Sequence, residues 1–345
     1  MKRCAYLCLL LGLALSLMMA ARGIVLAQAQ PQLTSAYRAD ALPADDPLSA
    51  AWAEAPTLNV PLIPQAGVAP ALLQATIPSV NVQSLNDGRT IAFRVTWDDA
   101  TPNLHATHTD EFRDALAIQF PTAPDAATIC MGAAGQLVNL WHWKADWQYD
   151  IDNGFHDLPD AYPNFYLDHY PFVSGEPPYR VPGDFDEEAK AYMAGWAAGN
   201  RFSNPSRPSP VEDLNAMGFG STHSQERQDV AGKGIWRDGR WSVVFARPLT
   251  TEDANDVQFA AGQTTSVAFA VWDGAERQVG AIKQLSSWVP LRIQAATAQA
   301  QPTAVVAQPS PAPADNTTLF IILALIALAL VIAAFAWIYF RLPES

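Results

Sequence analysis

The stretch TIAFRVTW, from Thr90 to Trp97, places a large apolar side chain at every second position, with Arg94 and Thr96 between them. Successive side chains of a strand point to opposite faces, so this pattern predicts a strand with one face in a hydrophobic core. The residues just before it, Asn86-Asp87-Gly88, are typical of a tight turn between strands.

Similar short runs recur along the chain. They predict strands at Thr57–Ile63, Ala115–Phe120, Leu137–Trp143, Trp241–Ala246, Ser266–Trp272 and Trp288–Ile293. The segment Arg237-Asp238-Gly239-Arg240 is a second hairpin signal. Short strands joined by turns, without an alternating strand–helix rhythm, predict an all-β fold, specifically a two-sheet antiparallel β-sandwich.

The region 151–234 breaks this pattern because it is rich in Pro, Gly, Asn and Asp. It is interpreted as a long irregular insertion that covers a ligand or forms a partner surface. One short helix is expected within it at Asp186–Ala198, with acidic residues at its start and Gly199-Asn200 at its end.

Residues 1–29 are interpreted as a secretory signal peptide, with Lys2 and Arg3 before an apolar run and cleavage after Ala27 or Ala29. An uncleaved anchor helix is the alternative. The folded domain is then expected over 30–294.

The C-terminal segment 318–340 carries no charged residue and is long enough to cross a hydrocarbon core of about 30 Å. It is predicted to be a transmembrane helix, followed by a cytoplasmic tail at 341–345 and preceded by an Ala/Pro/Gln-rich linker at 295–317. With the signal, this predicts a single-pass protein of the cell membrane whose domain lies on the extracytoplasmic side.

The composition excludes several classes of function. The chain has 345 residues, a net charge of −13 and 3 cysteines. An acidic chain without a basic patch argues against nucleic-acid binding. Removal of the signal leaves Cys130 alone, which excludes an internal disulfide and the Cys-x-x-Cys-His needed for covalent haem attachment. Phosphate-loop, zinc-protease and serine-hydrolase motifs are also absent from the sequence.

The run NLWHWKADW, 139–147, is unusually rich in tryptophan. On a strand, Trp141, Trp143 and Trp147 share one face, while His142, Lys144 and Asp146 share the other. Periodicity favours core packing for the tryptophans, and a flat platform for a sugar or a porphyrin is the alternative. A surface-anchored carbohydrate-binding module that uses Trp141 and Trp143 therefore stays open as a second function.

A series of short segments spreads over nearly the whole predicted domain. They are IAFRVTWDD (91–99), FRDA (112–115), QFP (119–121), MG (131–132), NLWHWKADW (139–147), NP (204–205), PVEDL (210–214), GKGIW (232–236) and VWDG (271–274). Taken together they resemble the haem b-binding γ subunits of the type II dimethyl sulfoxide reductase family. That family includes the small subunits of ethylbenzene, dimethyl sulfide, chlorate and selenate oxidoreductases, and its β-sandwich fold agrees with the strand pattern.

The resemblance implies one non-covalent haem b with Met131 and Lys283 as its axial ligands. A thioether is a soft ligand that favours ferrous iron, and a lysine ligates only as the free amine. Imidazole is the usual haem partner, so His142 is the rival ligand. His142 and Trp143 are kept as pocket candidates.

The resemblance further implies an electron-transfer subunit or carrier and not an enzyme. Its expected partners are a redox protein, either molybdenum and iron–sulfur subunits or a c-type cytochrome. The predicted anchor departs from the soluble γ subunits of the family and suggests a membrane-tethered carrier. A structural adaptor that has lost its cofactor is the third possibility.

Overall fold

The computed structural model describes residues 31–123, 131–162, 164 and 194–296. The predicted signal peptide, transmembrane helix and tail lie outside these residues, as does the linker beyond Ala296. Within the part of the chain that is described, no helix has the length and apolar character required to cross a bilayer.

Strands dominate the described chain. They are β1 Leu33–Tyr37, β2 Leu58–Pro61, β3 Ile63–Pro64, β4 Ser79–Asn86, β5 Thr90–Asp98, β6 Ala115–Pro121, β7 Val138–Lys144, β8 Val211–Ala216, β9 His223–Ser224, β10 Ala231–Arg237, β11 Arg240–Pro248, β12 Thr264–Trp272, β13 Gln284–Leu285 and β14 Val289–Ile293. The helices are α1 Ala145–Asn153, α2 Leu158–Ala161 and α3 Ala194–Ala197, with 3₁₀ turns at Ala50–Glu54 and Arg201–Ser203. The predicted all-β class is confirmed.

The strands form one continuous sheet of 14 strands, in which the main order is β10-β11-β5-β4-β1-β14-β12-β6-β7-β8-β9. Most pairs are antiparallel, but β1 runs parallel to both of its neighbours, β4 and β14. The prediction of two separate antiparallel sheets is therefore wrong in this respect. It failed because β12 belongs to both halves: residues 264–267 pair with β14, and residues 268–272 pair with β6. Strand β1 was not predicted, since its sequence LTSAY has only a weak alternation.

The two halves of the sheet pack face to face around the core. The Phe93 ring of β5 lies 5.5 Å from Phe120 of β6 and 5.9 Å from Trp141 of β7, measured between ring centroids. Four strands separate β5 from β6 in the hydrogen-bonded order, so these contacts cross between layers. The face of β5 that alternation predicted to be buried is the face that packs here.

The region 151–234 is less irregular than its composition predicted. It contains all of β8 and the start of β10, and β8 pairs with β7 along its whole length. The sequence VEDLNA of β8 hides the strand because polar side chains occupy both of its faces and are buried.

Helices also differ from the prediction. Of the expected helix Asp186–Ala198, the structure describes only the C-terminal part, where α3 is helical. Helix α1 was not predicted, because the tryptophan alternation of β7 continues in sequence to Trp147 although the strand ends at Lys144. Trp147 consequently does not share the face of Trp141 and Trp143.

Candidate cofactor site

The outer face of strands β12, β6, β7 and β8, opposite the core, forms the floor of a cleft. One row of register partners crosses it, namely Ala270, Ala117, His142 and Glu212. Alanine side chains on β12 and β6 keep this part of the floor flat, whereas β7 and β8 contribute polar groups. The strand pairing thus creates a flat surface with polar groups along one side.

Met131 lies over this floor at the start of a tight turn. Its backbone N–H donates to Gln119 Oε1 at 3.1 Å, and its carbonyl accepts from the N–H of Gly218 at 2.7 Å. Gly132 has φ +77°, and a Cβ at that position would stand 2.5 Å from the carbonyl oxygen of Gln136. Only glycine fits there, so the turn holds the backbone of Met131 in one place.

Lys283 approaches from the other side of the cleft, directly before β13. Its carbonyl accepts from the N–H of Gln65 at 2.9 Å, and β13 pairs with both β12 and β3. The residue is 7% exposed, and its Nζ lies 5.0 Å from the centroid of the Trp272 ring. The sheet register therefore fixes where this buried side chain can reach.

The two residues meet, although 152 positions separate them in sequence. Met131 Sδ and Lys283 Nζ are 3.7 Å apart. A thioether and an amine are both donors to transition metals. Met131 and Lys283 are therefore the residues that would hold the metal of a bound cofactor.

Two adjoining cavities, of about 450 and 880 Å³, open on this pair. Met131, Lys283, Trp272, Leu140 and Ala117 line both of them. Cavities of roughly 300–1,000 Å³ are typical of cofactor and ligand sites. Met131 and Lys283 thus line two spaces large enough for a flat organic group.

His142 lines the larger cavity. Its ring lies 4.8 Å from that of Trp272, and its Nε2 is buried without a hydrogen-bond partner among the described residues. Burial, together with the positive charges of Lys144 and Arg113, lowers the pKa of His142 well below its ordinary value. The imidazole is therefore neutral, with one nitrogen available to a bound group.

Comparison with known proteins identifies the family. Residues 49–284 match the family described as ethylbenzene dehydrogenase, which is more than half of the chain. The chain belongs to the ethylbenzene dehydrogenase family. The resemblance to haem-binding γ subunits drawn from its sequence is thereby confirmed.

Three relatives of this ethylbenzene dehydrogenase family member are named as heme or gamma subunits of other proteins. A protein of Haloferax mediterranei named as a heme subunit of respiratory nitrate reductase is 25% identical over 77% of each chain. The chlorate reductase subunit gamma of Ideonella dechloratans is 23% identical over 72% of this chain and 80% of its own. The dimethylsulfide dehydrogenase subunit gamma of Rhodovulum sulfidophilum is 26% identical over 74% of this chain and 78% of its own.

Among solved structures, a family 9 carbohydrate-binding module from Caldicellulosiruptor kristjanssonii in complex with glucose covers 78% of this chain and 99% of its own. The TM-score is 0.37 at 9% identity. A likeness this low carries no conclusion about function.

In this ethylbenzene dehydrogenase family domain, Trp143 does not line either cavity, and its assignment to the pocket was wrong. Trp141 and Trp143 are both 0% exposed. Trp143 packs edge-on against Trp241, at 4.8 Å between centroids, and covers Gly234, where any Cβ would overlap its ring. Neither indole can stack on a sugar, so the interpretation as core packing is confirmed and the carbohydrate platform is excluded. The alternation of β7 that puts His142 in the cleft puts these rings in the core.

Three charged residues line one side of the larger cavity, here called the charged wall: Arg113, Lys144 and Glu212. They were not predicted as site residues from the sequence. Lys144 and Glu212 form a buried ion pair of 2.6 Å, and Arg113 pairs with Asp146 at 3.1 Å. Burial lowers the pKa of Lys144 to about 8, although the charge of Glu212 opposes this shift. The alternation of β7 puts Lys144 on the same face as His142, and this was the sequence feature that could have identified Lys144 as a site residue.

Proposed function

We propose that this chain is a b-type cytochrome subunit that binds one haem b non-covalently and transfers electrons within a molybdenum oxidoreductase complex. The observation that carries the proposal is the contact between Met131 Sδ and Lys283 Nζ. Relatives named as a heme subunit and as gamma subunits of chlorate reductase and dimethylsulfide dehydrogenase support it. The chain itself turns over no substrate.

Haem iron, when bound, supplies one-electron chemistry, and the chain supplies ligation, orientation and exclusion of water. Met131 offers a thioether, a soft donor that favours the reduced metal. Lys283 offers an amine, which binds a metal only without its extra proton. Its burial against Trp272 keeps bulk water away from that amine.

The charged wall suits the two carboxylates of haem b. Arg113 and Lys144 both line the larger cavity and are cationic, whereas neutral His142 presents its Nε2 there. Both cations already have a carboxylate partner, Glu212 for Lys144 and Asp146 for Arg113. The guanidinium of Arg113 has further N–H donors for a second carboxylate, so it is the better counter-charge. These residues would orient the cofactor, and Met131 and Lys283 would hold its metal.

The finer features of the proposal concern the ends of the chain. The signal peptide at 1–29, the linker at 295–317 and the helix at 318–340 would place the domain on the extracytoplasmic side of the cell membrane. A tether of this kind lets the domain reach membrane-bound partners. Those partners would be molybdenum and iron–sulfur subunits or a c-type cytochrome.

The test is the visible spectrum of the full chain, purified from membranes in detergent. A Soret band that shifts on reduction with dithionite is expected, and the cofactor should extract into acidified butanone as haem b. A colourless protein that takes up no added haem would refute haem binding.

The ligands are tested with Met131→Leu and Lys283→Gln. Each variant is expected to shift the Soret band because one axial donor is lost. Met217→Leu and Lys233→Gln are the matched controls, since neither residue lines the cavities. Spectra of Met131→Leu and Lys283→Gln that match those of the controls would refute the ligand assignment and leave haem binding intact.

A further inference from the structure

Lys283 lies at the end of a loop that buried amide groups close. This segment, 273–283 and here called the lysine loop, begins directly after β12, and its Gln278 is fully buried. The Gln278 N–H donates to the Asp273 carbonyl at 3.1 Å. Its Oε1 accepts from the Asp273 N–H at 3.0 Å and from Gln284 Nε2 at 2.8 Å. Gln278 thereby joins the start of the lysine loop to β13.

Trp272, the last residue of β12, contacts the lysine loop at two further points. Its indole N–H donates to the Gly280 carbonyl at 3.1 Å, three residues before Lys283. The centroid of its ring lies 5.0 Å from Lys283 Nζ. One side chain therefore contacts both the backbone of this loop and the amine at its end.

The indole of Trp272 is itself held in place. It is buried and packs with Ala115 and Ala117, the small residues of the cleft floor. Ala115 is also its register partner on β6, so the sheet fixes the backbone of Trp272. The ring of His142 lies 4.8 Å from the indole, measured between centroids. Trp272 is therefore a rigid support beside Lys283.

We propose that Trp272 is a positioning residue, which holds the lysine loop and the amine of Lys283 so that this amine stays at the metal of a bound haem. The inference rests on the proposed function, since it concerns a ligand of that haem. A lysine side chain has many rotamers, and fixing one of them costs entropy. The contacts of Trp272 restrict these rotamers before the cofactor binds, as a supporting residue does in a preorganised site.

A ligand held in this way is expected to leave the metal less often. The hydrogen bond from the indole to the Gly280 carbonyl joins two neutral groups, and the net contribution of such a bond corresponds to about a fivefold change in an equilibrium constant. Without this bond, the fraction of haem from which Lys283 has dissociated should rise about fivefold.

The test is the rate at which carbon monoxide binds to the reduced full chain, purified in detergent. Carbon monoxide needs a free axial position on ferrous haem, so its binding rate measures how often an axial ligand leaves. A thioether favours the reduced metal, and the amine of Lys283 is therefore the ligand that is displaced. Trp272→Phe keeps an aromatic ring but lacks the indole N–H, and it is expected to bind carbon monoxide about fivefold faster than the wild type.

Trp236→Phe is the matched control. Trp236 Nε1 also donates to a backbone carbonyl, that of Asp99 at 3.0 Å, and this tryptophan lines neither cavity. Both variants lose one indole hydrogen bond, and urea unfolding measures the loss of stability in each. Only Trp272→Phe should bind carbon monoxide faster. A purely structural role of Trp272 predicts the same rate in both variants and would overturn the proposal.

The Lys283→Gln background shows whether Trp272 acts through the lysine. Lys283→Gln should bind carbon monoxide rapidly, and adding Trp272→Phe to it should change the rate no further. An equal acceleration with and without Lys283 would overturn the proposal. Trp272→Tyr also lacks the indole N–H and is the second variant should Trp272→Phe not fold.

The spectrum of the wild type separates this inference from the proposed function. A Soret band in the wild type together with wild-type carbon monoxide binding in Trp272→Phe would overturn the role of Trp272 and leave haem binding intact. A colourless wild-type chain would refute haem binding, and the role of Trp272 with it.

Discussion

The buried ion pair between Lys144 and Glu212 offers a sharp test of the cleft wall. Glu212→Gln keeps the size of the side chain and its contact with the hydroxyl of Ser224, but it removes the charge that faces Lys144. The Lys144 ammonium is 1% exposed and would retain the His142 carbonyl at 3.5 Å and the rings of Trp147 and Phe202, at 4.0 and 5.4 Å. Leaving one charge of a buried pair without its partner costs about 3–5 kcal/mol, and a cation–π contact returns about 1–2 kcal/mol of this. We therefore expect a loss of about 1–4 kcal/mol in the free energy of unfolding.

The assay is urea unfolding followed by tryptophan fluorescence. Glu252→Gln is the control, because its ion pair with Arg227 is exposed and such pairs contribute about 0–1 kcal/mol. The double variant Lys144→Met/Glu212→Gln should be more stable than Glu212→Gln alone, since no charge remains unpaired. A loss below about 1 kcal/mol, or a double variant less stable than the single one, would refute the reasoning.

The pH dependence of Glu212→Gln gives a second check. Glu212 opposes the burial that lowers the pKa of Lys144 to about 8, so this pKa falls further in the variant. Lys144 in the folded variant then loses its proton at this lowered pKa, whereas the same lysine in the unfolded chain keeps its proton up to a pKa of 10.5. The free energy of unfolding is therefore expected to rise with pH between the lowered pKa and 10.5. A profile that is flat or that falls over this range would contradict the prediction.

Two further predictions concern backbone geometry and a buried acid. Gly132→Ala should destabilise the fold and shift the Soret band, because its Cβ would overlap the Gln136 carbonyl oxygen. Gly135→Ala is the control, since Gly135 has the same φ of +77° but open space around it, and it should leave the Soret band in place. Burial and the nearby charge of Asp99 raise the pKa of Asp114 to about 7. The folded chain then holds a proton that the unfolded chain loses near pH 3.8, so stability falls as pH rises from 3.8 toward 7. Asp114→Asn should make the urea midpoint nearly independent of pH over that range. An unchanged pH dependence in the variant would exclude Asp114 as the cause of that dependence.

Local alternation predicted the strands that have one apolar face. Strand β5 and the core-facing tryptophans of β7 follow directly from it. Alternation did not predict strand β8, because its polar side chains are buried against partners distant in sequence, such as Lys144 for Glu212 and Asn139 for Asp213. A pattern confined to neighbouring positions contains no information about such partners.

The candidate site shows the same limit. Periodicity alone does not single out Met131 or Lys283, and family resemblance supplied both. The contact between them depends on the turn at Gly132 and on the pairing of β13 with β12, which are tertiary features. Alternation separates His142, which lines the cleft, from Trp143, which packs in the core.

Strand β1 pairs in parallel with both β4 and β14, and this pairing has a consequence for folding during translation. Leu33 pairs with Leu291, so the first described strand cannot be enclosed until the ribosome has produced almost the entire domain. Lys283 is also translated late, shortly before β14. A nascent chain therefore cannot bring Met131 and Lys283 together in the finished sheet until its last strand has emerged.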